Sequence, residues 1–183
     1  MQRTSESAAF VLGSTIPNFE LLNVDGSRIG SEYLQEAKAY LVGFLCNHCP
    51  YVKGSEQMLI DIVKRFQGDG LKTITISSND AVQYPDDSFE KMQEKARAMS
   101  LPYPYLYDES QEVAKMFDAA CTPEFYLFDR SRVLVYHGTI NDSPRDASKV
   151  TKDYLSDAIT SALEGRTPEP QFVHPLGCSI KWK

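Results

Sequence analysis

The apolar run Tyr40-Leu41-Val42-Gly43-Phe44-Leu45 leads straight into Cys46-Asn47-His48-Cys49-Pro50. A run of this length, ending at Cys-x-x-Cys and passing into helical periodicity, reads as a strand, a turn and a helix N-terminus. Free N–H groups and the positive end of the helix dipole favour a thiolate there over a thiol. His48, between the two cysteines, adds a second cation when protonated. Two cysteines at this spacing can close a disulfide. The first, placed nearest the open end, is expected to be the exposed nucleophile with the lower thiol pKa, and Cys49 its buried partner. The alternatives are half of a zinc site or two cysteines packed as small hydrophobes. No second ligand pair at short spacing follows to complete a zinc site.

The 183 residues suit one α/β domain with a sizeable core and some tail. A net charge of −6 argues against nucleic acid and gives no support for an anionic membrane surface. The stretch Ala8-Ala9-Phe10-Val11-Leu12 is too short for a signal peptide, and no stretch is long enough to span a bilayer. The expected compartment is therefore the cytoplasm, where four cysteines point to catalysis or metal rather than a structural framework.

Along the chain, residues 1–13 read as an arm and residues 14–166 as the domain. Asn23-Val24-Asp25-Gly26-Ser27 between short apolar pieces predicts an N-terminal hairpin. Ser31 is expected to cap a short helix over residues 32–37. Met58, Leu59, Ile62, Val63 and Phe66 mark a helix closed by Gly68 and Gly70. Leu71 to Ser77 is a β-branched strand, and Asn79-Asp80 through Asp86-Asp87 a solvated loop. A helix over 86–99 buries Phe89, Met92, Ala96 and Met99. Tyr103 to Tyr107 is a brief or edge strand, and Val113, Met116 and Phe117 mark a short helix. Cys121-Thr122-Pro123 then precedes two strands, Glu124 to Asp129 and Val133 to Tyr136. A last helix carries Leu155, Ala158, Ile159, Ala162 and Leu163. Residues 167–183 form a tail in which Pro168, Pro170 and Pro175 oppose regular structure. The apolar Leu176, Ile180 and Trp182 predict that this tail docks on the domain. His137 and His174 read as structural or solvated, and Cys121 as a small core residue.

The order strand–CxxC–helix, strand, helix, Thr-Pro, hairpin and final helix resembles the thioredoxin fold, a central mixed sheet flanked by helices, here with an inserted strand and helix. Three segments resemble more specifically the peroxiredoxin-like, AhpC/TSA-related group. They are Cys46-Asn47-His48-Cys49-Pro50, the loop Ser77-Ser78-Asn79-Asp80 with Tyr84-Pro85-Asp86-Asp87-Ser88, and the ending Gly177-Cys178-Ser179-Ile180-Lys181-Trp182-Lys183. The resemblance implies that Pro123 is cis, packs against the cysteine pair and presents the Thr122 backbone to an incoming substrate. The chain departs from true peroxiredoxins, which carry a hydroxyl three residues before the peroxidatic cysteine. Counting back from Cys49 reaches Cys46, and from Cys46 reaches Gly43. No acidic residue lies on strand 39–45, where many thioredoxins bury a proton acceptor.

These features predict a thiol–disulfide oxidoreductase in which Cys46 attacks and Cys49 resolves, supported by His48, Thr122 and Pro123. It calls for no cofactor and no metal. Its expected partners are protein or small-molecule disulfides and a thiol reductant. A thiol peroxidase and a noncatalytic metal-binding or interaction module using Cys46, His48 and Cys49 are the competing readings. Cys178 is a candidate additional redox cysteine, with Cys46 as its expected partner; the alternative is a packed and inert thiol.

Overall fold

The computed structural model describes residues 10–183; the expected arm, residues 1–13, therefore lies mostly outside the described residues. The central strand β3 (Ala39–Phe44) is buried along its whole length. Its parallel neighbour is β4 (Leu71–Ser77), and its antiparallel neighbour β7 (Glu124–Phe128). A sheet covered on both faces needs near-continuous apolar strands rather than alternating ones. Residues 39–45 and 124–128 supply them. With β1 (Glu20–Asn23), β2 (Arg28–Gly30), β5 (Tyr105–Tyr107), β8 (Leu134–Gly138) and β9 (Phe172–Val173), the mixed sheet runs in the order β2-β1-β5-β4-β3-β7-β8-β9. Tyr105–Tyr107 is thus an interior strand between β1 and β4. The two faces of β3 divide the core. Leu41 packs with Leu59, Ile62, Leu155 and Ile159 from α1 (Pro50–Phe66) and α4 (Tyr154–Leu163). Tyr40, Val42 and Phe44 pack with Ile74, Phe117, Tyr126 and Phe128 on the other.

Helix α1 begins with Pro50 at its first position, where a missing N–H costs nothing, and Cys49 is its N-cap. Helix α2 (Phe89–Met99) starts three residues later than expected: a 3₁₀ turn, Pro85–Asp87, precedes it, and Ser88 caps it by accepting from the Lys91 N–H. Helix α3 (Glu112–Met116) is the short helix expected there. The expected helix at 32–37 shrinks to a 3₁₀ turn, Ser31–Tyr33, whose cap position is Gly30; the Ser31 hydroxyl instead bonds Asn18 Oδ1 at 2.9 Å. Two short strands, β6 (Cys121–Thr122) and β10 (Cys178–Ser179), pair antiparallel outside the main sheet. The tail therefore carries strands β9 and β10 despite its prolines. Ile180 is buried, whereas Trp182 stays 42% exposed and Leu176 40%. Among the described residues no helix is long and apolar enough to cross a membrane.

Candidate active site

The end of β3 and the start of α1 bring Cys46 and Cys49 together as free thiols against Thr122. Cys46 Sγ lies 3.3 Å from Thr122 Oγ1, and Cys49 Sγ lies 3.2 Å from the Thr122 carbonyl oxygen. The Thr122–Pro123 bond is cis. Neither cysteine is exposed: both are at 0%. The expectation of an exposed Cys46 and a buried Cys49 is therefore corrected, because the docked tail and the 85–87 turn cover the pair.

The surroundings of the two thiols differ. The adjoining Cys49 sulfur, burial and the facing Asp87 carboxylate push the Cys46 thiol pKa far above the ordinary value. Cys49 is pulled down to about 4: the Cys46 hydrogen bond outweighs its desolvation, and the Cys178 thiol and the Val52 N–H add to it. Helix polarity explains the preference. Cys49, not Cys46, is the N-cap residue, at the positive end of the α1 dipole, which favours a negative sulfur.

Asp87 is the residue beside the cysteines that sequence reasoning did not assign to the site. Placed in an expected solvated loop, it is fully buried. Its Oδ1 accepts from the backbone N–H groups of Asn47 at 2.7 Å and His48 at 3.2 Å. Its Oδ2 lies 2.5 Å from His48 Nδ1 and accepts from Asn79 Nδ2 at 2.8 Å. The missing carboxylate of strand 39–45 is thus supplied by another segment. The ring of Tyr84 stacks on His48 at 5.4 Å, and the Tyr105 hydroxyl donates to Asn47 Oδ1 at 3.1 Å. Thr122 likewise brings a hydroxyl to Cys46 that neither sequence register contained. A composition of Asp, Asn and Tyr in a loop carries no signal for such a role; only the close of the chain over the CxxC reveals it.

Cys46, His48 and Asp87 place a sulfur, an imidazole nitrogen and a carboxylate oxygen within 4.8 Å of one another. These are three donors where structural zinc takes four, and both Asp87 oxygens already accept hydrogen bonds. Asp87 takes the place that Cys49 held in the expected metal set.

Cys178 meets the site from the tail. It stands opposite Thr122 in the β6–β10 pair, and Thr122 is the residue whose carbonyl oxygen Cys49 Sγ meets, so its neighbour is Cys49 rather than the expected Cys46. The backbone of Thr122, expected to face a substrate, is occupied by the chain's own strand. Cys121 is half-buried and lines a cleft of about 580 Å³ with Glu124, His137 and His174, on the other side of that strand. His137 is structural: its Nε2 lies 2.7 Å from the buried Glu124 Oε1, and its ring stacks on Tyr126. His174 is exposed.

Residues 12–137 match the model of the AhpC/TSA family. The chain is similar along 98% of its length to an uncharacterized conserved protein from Geobacillus kaustophilus, at 44% identity, a TM-score of 0.90 and 96% coverage of that protein. It is similar over 98% of its length to a hypothetical protein from Sinorhizobium meliloti, at 35% identity, a TM-score of 0.90 and 99% coverage of that protein. A thiol:disulfide interchange protein of the thioredoxin family from Chlorobium tepidum shares the fold, with 19% identity, a TM-score of 0.65, and 85% and 99% of the two chains covered. No curated protein matches the chain.

Proposed function

The chain belongs to the AhpC/TSA family and is a redox enzyme of thioredoxin-like type; from that premise we propose that it is a thiol–disulfide oxidoreductase working through the Cys46–Cys49 dithiol and disulfide. The observation that carries this reading is the convergence of the two sulfurs, at the N-terminus of α1, on one residue: Cys46 Sγ on Thr122 Oγ1 at 3.3 Å and Cys49 Sγ on the Thr122 carbonyl oxygen at 3.2 Å. Cys49, whose surroundings favour its thiolate once the proton it donates to the Thr122 carbonyl has left, is the reacting sulfur. Its attack on a substrate disulfide forms a mixed disulfide and releases one substrate thiolate. Cys46 then attacks Cys49 Sγ, closing the Cys46–Cys49 bond and releasing the second thiolate. The proton of Cys46 must leave before that attack, and the Asp87–His48 pair is the adjacent acceptor. Substrates are protein or small-molecule disulfides, recharging comes from a thiol reductant, and a cytoplasmic setting keeps the pair reduced at rest.

Redox titration followed by mass spectrometry tests this. A reversible loss of two thiols at Cys46 and Cys49 is expected, and a pair that stays reduced across the titration would overturn it. The complete burial of both sulfurs favours one further reading, a thiol peroxidase, because a peroxide is small enough to reach a covered thiolate. There Cys49 takes one oxygen from peroxide as a sulfenic acid, releasing alcohol or water, and Cys46 condenses with it, releasing water. Stopped-flow mixing separates the two: fast stoichiometric consumption of hydrogen peroxide by the reduced protein selects the peroxidase.

A further inference from the structure

The buried pair touches a third thiol. Cys178, on β10, stands in register with Thr122, whose carbonyl oxygen Cys49 Sγ meets at 3.2 Å, and this brings the thiols of Cys178 and Cys49 side by side. Its placement is built into the tail on both sides. A Cβ on Gly177 would stand 2.2 Å from the Thr122 oxygen and 3.1 Å from Pro123 N, so a residue with no side chain is needed for the strand to lie this close. Beyond Cys178, the Ile180 N–H donates to Ala120 O at 3.0 Å, the Lys181 N–H to Asn79 Oδ1 at 2.9 Å, and the Lys183 N–H to Gln111 Oε1 at 3.0 Å. Asn79 also holds Asp87, so tail and pair share one hydrogen-bond network. Cys46 and Cys49 are closed to solvent, whereas Cys178 is partly open. An external thiol therefore meets Cys178 before either member of the pair.

We propose that Cys178 is a third redox cysteine, which takes the disulfide from Cys46–Cys49 by bonding to Cys49 and exchanges it with an external thiol reductant. This rests on the Cys46–Cys49 reading above. Cys178 loses its proton and attacks Cys49 Sγ. The Cys49–Cys178 bond forms, the Cys46–Cys49 bond breaks, and Cys46 leaves with the electron pair and takes up one proton. An external thiolate then attacks Cys178 Sγ; a mixed disulfide forms there and Cys49 leaves as a thiolate, the form its place at the helix cap stabilises. A second external thiolate attacks the outer sulfur of that mixed disulfide, forming an external disulfide and returning Cys178 as a thiolate that regains its proton. One protein disulfide is reduced and two external thiols are oxidised. Each step is ordinary thiol–disulfide exchange, which needs an accessible sulfur and a good leaving thiolate.

The test uses the full chain and two variants. Cys46→Ser, treated with one equivalent of diamide, blocked with N-ethylmaleimide and peptide-mapped, is expected to yield a Cys49–Cys178 bond within one chain; its absence overturns the relay. Cys178→Ser is expected to form Cys46–Cys49 under the same oxidation, which also shows that the site has folded. Failure to form it would overturn the parent reading and the relay with it. The rate at which that disulfide is reduced is then compared with the oxidised wild type in two arms, one with reduced glutathione and one with a reduced thioredoxin. A loss of tenfold or more in either arm supports the relay and identifies the source of the thiol as small molecule or protein. Equal rates in both arms overturn the relay while leaving the oxidoreductase reading in place.

Discussion

Asp87 Oδ2 lies 2.5 Å from His48 Nδ1, although the two residues are 39 positions apart and Asp87 is wholly buried. The same carboxylate takes two backbone N–H groups from the CxxC turn and one amide from Asn79. It thereby fixes the turn and places a negative charge toward Cys46. Asp87→Ala leaves these donors unpaired in a dry site and is expected to destabilise the protein by about 3 kcal/mol in urea unfolding. Asp87→Asn keeps an acceptor oxygen and removes the charge. In a Cys49→Ser background it should lower the pH at which Cys46 ionises, read as thiolate absorbance near 240 nm. An unchanged titration would show that Asp87 holds the turn without acting on the sulfur.

The inverted ionisation order has a pH signature. Its neighbours, Cys46 first, pull the Cys49 thiol down to about 4 in the native state, while an unfolded cysteine titrates at about 8.5. Between these values the unfolded state binds the extra proton, so stability of the reduced protein should rise with pH. Conversely it is lost as pH falls through the native value. Above about 8.5 the sign reverses, because Cys46 keeps its proton in the native state and loses it on unfolding. Denaturation midpoints across pH 4 to 10 should peak near the unfolded thiol value, and Cys49→Ser should remove the rising limb. Iodoacetamide at pH 5 should label Cys49 before Cys46; the opposite order would restore the roles read from the sequence.

Much of the frame was legible because it rests on local chemistry. Apolar runs gave β3 and β7, Asp25-Gly26 gave the first hairpin, and the Cys-x-x-Cys turn marked the start of α1. The CxxC and Thr122-Pro123, which meet in the site, could be paired only through the resemblance, since the 72 intervening residues carry no local record of that contact. Asp87 was unreadable for a different reason. An acidic residue after Tyr-Pro is ordinarily solvated, and its burial here depends on donors from the CxxC turn and from Asn79. The expected helix at 32–37 meets a competing bond from outside the segment, with the Ser31 hydroxyl drawn to Asn18, 13 positions upstream, instead of to a helix N-terminus. In the tail, composition indicated docking but not depth: Ile180 is buried, and Trp182 is half in solvent.

A second buried carboxylate supports the site from behind. Burial alone would raise the Glu124 pKa, but hydrogen bonds from His137 and from the Ala120 and Cys121 N–H groups outweigh it and hold the carboxyl below its usual range. The Tyr126 hydroxyl donates to it as well, at 3.0 Å. A depressed carboxyl contributes stability that is present above its unfolded pKa of about 4.3 and is lost as pH falls through the lower native value. Glu124→Gln should therefore weaken the protein most near neutral pH, with the difference from wild type narrowing below about pH 4. Urea midpoints at pH 7 and pH 3.5 check this. A constant difference at both values would mean that Glu124 acts through shape and not through charge.

Gly177 offers the sharpest test of how the tail is held. An alanine there brings a methyl group against the Thr122 carbonyl, which belongs to the backbone of the site and cannot rotate aside. The cheaper response is for β10 to lift, because its pairing with β6 is only two residues long. Overpacking of this kind costs about 1–3 kcal/mol, and the loss should appear first in the tail, since Ile180 and the Lys181 and Lys183 N–H bonds anchor only the residues beyond Cys178. Gly177→Ala is therefore expected to speed amide exchange across residues 176–181 while the amides of β3 and β4 keep their protection. Cys49 should lose Cys178 from beside it and its alkylation at pH 5 should change in rate, because its cover has gone. Unchanged exchange in the tail would show that the strand accommodates a side chain at this position and that the close approach to Thr122 is not what holds it.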